Sequence, residues 1–402
     1  MAGHSIKEFA RDTFIRTVNR FGISSRYIGT PKTVVSTAEW VSSRQGKEGI
    51  FFQEVYPEKQ RREEAPITLE ESVHRIYRDE YTRIQPKAFV AGIAGGRVWG
   101  RNGAVITPDD ALLGDVSREF GQYGGVFNQA HSIFKQVKLS NLRKIAGRVA
   151  VVAAAGSQNY HHWLYDTLPR LGLLQKTGLI GGIDHFIIDY SGLKFQKECL
   201  EQMGIPADKV IACNDHWNFH VQAEELIVTS LPARLGTISD WTVEFLRENF
   251  LPADGRIDRS GQRLYLSRRK APTRNLVNEA NVLEILGDLN FYPFYAEDHS
   301  IRETAAVFAG CESIIGVHGS GFANLAFCSP GTRVVDILAP RHLDPYYWIL
   351  TNLTRSSYAY IFGEGERLPE GTDLVREKID EDINLDMAKF QTLLKKIHLL
   401  SE

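Results

Sequence analysis

Three separated stretches of the chain hold side chains whose types and spacing suit chemistry. In SIIGVHGSGFANLAF (313–327), His318 stands where an apolar strand ends, and Gly319 and Gly321 flank Ser320. Glycines there let the backbone turn tightly and expose N–H groups with no Cβ in the way. FANLAF then reads as a helix whose free N–H groups and positive dipole end face an anion. Asp336, inside the next apolar strand (RVVDIL), is a charge in an uncomfortable place and could accept hydrogen bonds from ribose hydroxyls. Two tight turns and a capped helix are the plainer reading of such a loop taken alone.

In LYLSRRKAPTRNLVNE (264–279), Arg268, Arg269 and Arg274 gather at one strand end. Three cations so close are costly unless something negative lies between them, and a diphosphate fits. A solvated loop paired with Glu279 is the alternative, although Glu279 opens the next helix and has a structural use there. In NYHHWLYDTLPRL (159–171), His162 and Asp166 are four residues apart and share one helix face, with Arg170 a turn later. A His–carboxylate pair suits general-base work: the aspartate takes the proton, or it tunes the histidine that does. Asn159 and His161 are expected only to cap and solvate the turn, and Pro169 to kink or break the helix.

The elements that must position these groups follow from periodicity and punctuation. Residues 1–85 are polar and mixed and read as an N-terminal extension. From residue 88 short apolar runs alternate with GG, RNG and PDD, the marks of hairpins. From about residue 147 the order becomes strand, helix, strand, helix, strand, which predicts a parallel sheet. LPADGRIDRSGQ (251–262) is the linker candidate. A second α/β series follows it, ending in an amphipathic helix within NLDMAKFQTLLKKIHLLSE. The predicted organisation is an extension (1–85), a first α/β domain (86–250), a linker (251–262), a second α/β domain (263–360), and a tail with a helix (361–402). Ligands of two such halves settle in the cleft, at the carboxyl ends of the strands.

Bulk properties narrow the function classes. With 402 residues the chain is long for one core. A formal net charge of −2 lacks the basic surplus of a dedicated nucleic-acid binder, so none is expected as a partner. Cys199, Cys213, Cys311 and Cys328 form no C-x-x-C pair and read as reduced thiols, which points to the cytoplasm. No apolar run spans a membrane. The N-terminal segment carries Ile6, Phe9, Phe14, Val18 and Phe21 on one helical face. That pattern suits a helix docked on its own domain and leaves peripheral contact with the inner face of the membrane open. No G-x-S-x-G elbow accompanies HGSG, which argues against a hydrolase. The acidic runs at 108–110 and 380–382 read as solvated turns, so no metal is expected.

Taken together, NYHHWLYDTLPRL, LYLSRRKAPTRNLVNE, FAGCESIIGVHGSGFANLAF and GTRVVDI resemble, in order and spacing, the signature blocks of glycosyltransferase family 61. The resemblance covers roughly residues 90–355, is specific over 155–175 and 264–340, and is absent from the first 85. Two departures are visible: the family loop His-Gly-Ala-Gly has Ser320 in place of alanine, and its usual glutamate in the last block is Asp336. The resemblance implies a GT-B fold, with two Rossmann-like domains facing across a cleft. It also implies metal-independent, cofactor-free transfer, with inversion, from a nucleotide sugar (UDP-linked by similarity) to a glycan, polysaccharide or protein acceptor, lipid-linked acceptors included. Asp166, with His162 oriented against it, is then the expected acceptor-side base, which makes 86–250 the acceptor-side domain and 263–360 the nucleotide-sugar-binding domain. Arg268, Arg269, Arg274, His318, Gly319, Ser320, Gly321, Asn324 and Asp336 belong on the donor side. A nucleotide- or carbohydrate-binding protein that kept the fold and lost activity is the other reading.

Overall fold

The computed structural model describes residues 29–121, 124–126, 130–252, 261–367 and 380–401. The amphipathic N-terminal segment and most of the expected linker lie outside these. The chain is a mixed α/β protein built on two sheets.

The first sheet joins β1 (Thr33–Val35), β2 (Ile50–Tyr56), β3 (Ala88–Ala94), β4 (Arg97–Trp99), β5 (Ala104–Ile106), β6 (Ala111–Leu113), β7 (Arg143–Val151), β8 (His185–Ile188), β9 (Val210–Ala212) and β10 (His220–Thr229). Its main path runs β1-β6-β5-β4-β10-β7-β8-β9, and β3 bridges β10 and β2. The sheet divides by chemistry. Strands β7 to β10, separated by helical crossovers or long loops, pair in parallel, whereas the Gly-punctuated runs β3 to β6 form antiparallel pairs. The stretch read as an extension is part of this sheet: β1 and β2 pair with β6 and β3. Its next residues cover the second sheet, with Ile67 bridging to Ala359 and Trp348 Nε1 donating to the Glu64 carbonyl at 2.7 Å. A polar composition concealed this, although Ile50 and Phe52 of β2 pack against one apolar cluster and Phe51 and Val55 against another.

The second sheet holds β11 (Gln262–Leu266), β12 (Phe291–Phe294), β13 (Cys311–Val317), β14 (Arg333–Leu338) and β15 (Ser357–Phe362), in the order β12-β11-β13-β14-β15 and parallel throughout. Strands β13 and β14 are apolar almost end to end, as burial on both faces requires. The C-terminal helix Met387–Lys396 buries Phe390, Leu393 and Leu394 in this half's core.

Between the sheets lies continuous apolar packing. Leu164, Leu168 and Leu171 from the first half share one cluster with Phe322, Leu325, Phe327, Tyr347 and Trp348 from the second. At its centre the segment Ser320–Phe327, expected as an α-helix, is a 3₁₀ coil. Helices from both halves surround it, among them Ile301–Gly310, Asp240–Phe250 and Tyr346–Thr354. With Phe322 through Phe327 all buried, every side of the coil must pack, and the tighter turn fits that confined space.

The helix after β7 departs from expectation in another way. It starts at Tyr160–His162, widens into a π turn at Trp163–Thr167, and continues as Leu168–Lys176. Pro169 removes one backbone donor, and the wide turn absorbs the loss, so the helix is not broken. Arg170 does not extend the His162–Asp166 face into solvent. It is fully buried and donates to Thr229 Oγ1 and the Thr229 carbonyl, at 2.8 and 3.0 Å. Burial lowers its pKa to about 9.

Candidate active site

His162 and Asp166 come together as their spacing predicts: His162 Nδ1 lies 2.8 Å from Asp166 Oδ2. A third residue, unforeseen in the sequence, completes the group. Arg118 Nη2 donates to Asp166 Oδ1 at 2.7 Å, and its Nη1 donates to the Ala233 carbonyl at 3.0 Å. Burial acts to raise the Asp166 pKa, but the Arg118 guanidinium and the His162 hydrogen bond outweigh it and hold the carboxyl well below the usual range. Asp166 is therefore a fixed anion with both oxygens engaged. It is a poor proton acceptor and a good orienting partner. His162 is the side chain left to act: Nδ1 is tied to the carboxylate, Nε2 makes no hydrogen bond among the described residues, and the side chain is 20% exposed. Gly156, at φ +83°, lets the chain pass behind the imidazole; a Cβ there would sit 2.9 Å from His162 Cδ2 and 2.8 Å from Phe120 Cε2.

The second half brings a cationic group to the same junction. Tyr160 Oη donates to Asn324 Oδ1 at 2.8 Å and Tyr165 Oη donates to the Ala323 carbonyl at 2.6 Å, so the His162 helix is bonded to the 3₁₀ coil. Neighbouring His161 packs on Tyr346 and Tyr347, with ring centroids 4.4 and 5.6 Å apart. Arg268 runs under the glycine loop so closely that a Cβ on Gly319 would meet its Nη1 at 1.9 Å. Arg268 Nη2 donates to the Thr273 carbonyl at 2.9 Å, while its Nε is buried without a partner. Burial and the adjacent Arg274 together lower the Arg268 pKa to about 10. Arg274, in the left-handed region at φ +57°, donates from Nη1 to His342 Nδ1 at 3.2 Å. Its Nε stands 3.9 Å from Asp380, too far for a hydrogen bond. Two guanidiniums with unused buried donors, one of them directly against Gly319, form an anion-binding arrangement.

Other expected donor-side residues have different work. His318 is 2% exposed and wedged between two carboxylates, with Nδ1 2.8 Å from Asp336 and Nε2 3.1 Å from Asp344. It has no free nitrogen for a phosphate. Asp336 is wholly buried and accepts from Tyr358 Oη at 2.9 Å as well, so a ribose hydroxyl cannot reach it in this conformation. Asn324 is also fully buried and braces the coil by donating to the Gly321 carbonyl at 2.9 Å. Arg269 is exposed, and its backbone N–H donates to Ser267 Oγ. Ser320 and Gly321 stay partly exposed on the loop. Glu279 accepts from Ser267 Oγ and Tyr265 Oη and leaves the arginines alone. The acidic run at 380–382, expected to be a solvated turn, braces the arginine loop, with Asp382 accepting from the Asn275 N–H at 2.8 Å.

Arg118, His342 and Asp344 are the functional candidates that sequence reasoning missed. RHLDP, just past the end of β14, stood at the carboxyl edge where α/β proteins bind ligands, and that placement was a usable signal. Arg118 offered none, since its partner lies 48 residues away.

The position of His318 has a measurable consequence. Burial alone would lower its pKa, but Asp336 and Asp344 raise it to about 9. A group whose folded pKa lies above its unfolded value near 6.5 contributes stability that is complete below about pH 6.5 and fades as pH rises through 9. The melting temperature should therefore fall between pH 7 and pH 9.5. Asp344→Asn, with one carboxylate fewer, should show a smaller decline that is complete at lower pH. Identical pH profiles for the two proteins would exclude His318 as the source.

Comparison with known proteins bears on the same residues. Residues 160–335, from the helix of His162 to β14, match the model of the family described as Glycosyltransferase 61. Over these residues the chain is similar to glycosyltransferase family 61. No curated protein matches the chain. The matched span contains His162, Asp166, Arg268, Arg274 and the Gly319 loop, while Arg118, His342 and Asp344 fall outside it. The similarity supports glycosyl transfer as the activity to weigh. No helix among the described residues is long and apolar enough to cross a membrane.

Proposed function

We propose that the chain is an inverting, metal-independent glycosyltransferase, with the two sheets acting as the halves of a GT-B arrangement. It moves a hexosyl or pentosyl group from a nucleotide sugar, UDP-linked, to a hydroxyl of a glycan, polysaccharide or protein acceptor. The observation that carries this reading is that the helix of the oriented His162 is bonded, through Tyr160 and Asn324, to the coil that opens at the Gly319 loop over Arg268.

In the step we propose, His162 Nε2 takes the proton of the acceptor hydroxyl as its oxygen attacks the anomeric carbon. The bond from that carbon to the diphosphate oxygen breaks on the opposite face, which inverts the configuration. The positive charge formed on His162 is balanced by Asp166, kept anionic by Arg118. Arg268, Arg274 and the Gly319–Gly321 backbone receive the charge developing on the leaving diphosphate. Four free, buried cysteines suit a reducing compartment, and we place the enzyme in the cytoplasm.

The test is incubation of the full chain with a panel of nucleotide sugars and glycan acceptors in EDTA, reading nucleoside diphosphate release. Release that depends on acceptor and persists in EDTA is expected. No release and no nucleotide-induced melting shift with any donor would refute the proposal. Melting shifts without release would favour a binding protein that has lost activity.

A further inference from the structure

Of the six tryptophans, Trp40, Trp99, Trp163, Trp241 and Trp348 are buried, whereas Trp217 is 58% exposed. Its place in the fold is specific. Strands β7, β8 and β9 are parallel, so the segments after them share one edge of the first sheet. Those segments hold His162, Asp189 and the Cys213–Phe219 loop respectively. Gln158 Nε2 donates to Ser191 Oγ at 2.8 Å and ties the approach to His162 to the loop after β8. On the other flank of His162, Phe120 lies 5.0 Å away between ring centroids.

Trp217 does not dangle. Its ring stands edge-on to His216 at 4.5 Å and lies 6.0 Å from buried Trp99. His216 is fixed in turn: Nδ1 accepts from the Arg101 N–H at 3.3 Å, which leaves the proton on Nε2 as a donor. Arg101 reaches back to Asp189 in a two-pronged pair, with Nη2 at 3.1 Å and Nε at 3.3 Å from Oδ2, and its side chain is 36% exposed. A braced aromatic face beside an imidazole donor and a part-exposed guanidinium, held by the buried Asp189 carboxylate, combines an apolar platform with directional hydrogen bonds. A pyranose ring needs both. Its C–H face carries partial positive charge that suits the negative face of indole, and its rim of hydroxyls needs donors and acceptors.

We infer that Trp217, His216 and the Arg101–Asp189 pair form a distal subsite for the acceptor glycan, on the same strand edge as His162. The subsite rests on the glycosyltransferase reading and adds to it that the acceptor is an oligosaccharide held over more than one sugar. A single sugar at His162 would leave Trp217 uncovered, whereas a chain running along the edge would cover it.

The full chain is titrated with xylo-, cello- and chito-oligosaccharides of one to six residues, reading tryptophan fluorescence. Transfer to the same compounds is measured in parallel. At least one series should shift the emission, with affinity rising with length. Trp217→Ala should abolish the shift and raise KM for the longest acceptor ~10-fold, while the monosaccharide KM, UDP binding and melting temperature hold. Trp217→Phe should restore most of the affinity. If no oligosaccharide binds, if Trp217→Ala binds as wild type does, or if Trp217 instead mediates a concentration-dependent dimer, the subsite is wrong. Binding through Trp217 without transfer would retain the subsite and remove the proposed activity; UDP binding and transfer that ignore Trp217 would do the reverse.

Discussion

His162→Ala is expected to lower the rate of transfer about a thousandfold, the usual range for loss of a general base being 10²–10⁴, with UDP affinity unchanged. The reason is the division of labour around Asp166. A carboxylate already holding Arg118 and His162 gains little from a third proton, whereas the imidazole has one nitrogen fixed and the other open. Asp166→Asn keeps the shape and removes the charge, so His162 loses its orientation and its electrostatic balance. It should reduce kcat about a hundredfold with little change in KM for the donor. Steady-state kinetics with both variants decides the assignment. Activity near wild type in His162→Ala, together with an inactive Asp166→Asn, would make Asp166 the base.

The second large effect is expected at the cation pair. Arg268→Ala should weaken UDP binding about 10- to 100-fold, since a charge-assisted hydrogen bond to phosphate is worth roughly 1.5–3 kcal/mol. Gly319→Ala tests the same contact from the other side. The backbone at Gly319 is extended and accepts any residue, so strain is not the issue; the new methyl would occupy the place of Arg268 Nη1 and push the guanidinium aside. A loss of about tenfold is expected, smaller than for Arg268→Ala because the charge survives. Calorimetric titration with UDP measures both. If neither substitution alters the affinity, the diphosphate lies elsewhere.

How much of this was legible beforehand varied with the range of the interaction involved. His162 with Asp166 is a contact over four residues of one helix, and helical spacing alone determines it. The second α/β series was readable because apolar strands and amphipathic helices alternate between clear turn signals. Donor-side roles were harder to assign. His318, Asp336 and Asn324 are polar residues in a loop-and-strand pattern that fits a ligand site and a buried brace equally well. The three-dimensional packing made them braces: Asp336 and Asp344 clamp His318, and Tyr160 claims Asn324.

By itself, then, the sequence determined the mixed α/β character, the parallel order of the second sheet, the His–Asp pair and the clustering of arginines at one strand end. Each of these follows from local periodicity or from neighbours a few residues apart. Only the tertiary structure decided that Arg118 locks Asp166, that Arg268 lies beneath Gly319, and that residues 29–85 are woven into both sheets. Those partners are brought together by burial of apolar faces between segments far apart in the chain, as where Ile67 meets Ala359. Pairing across such separations leaves no period in the chain to read.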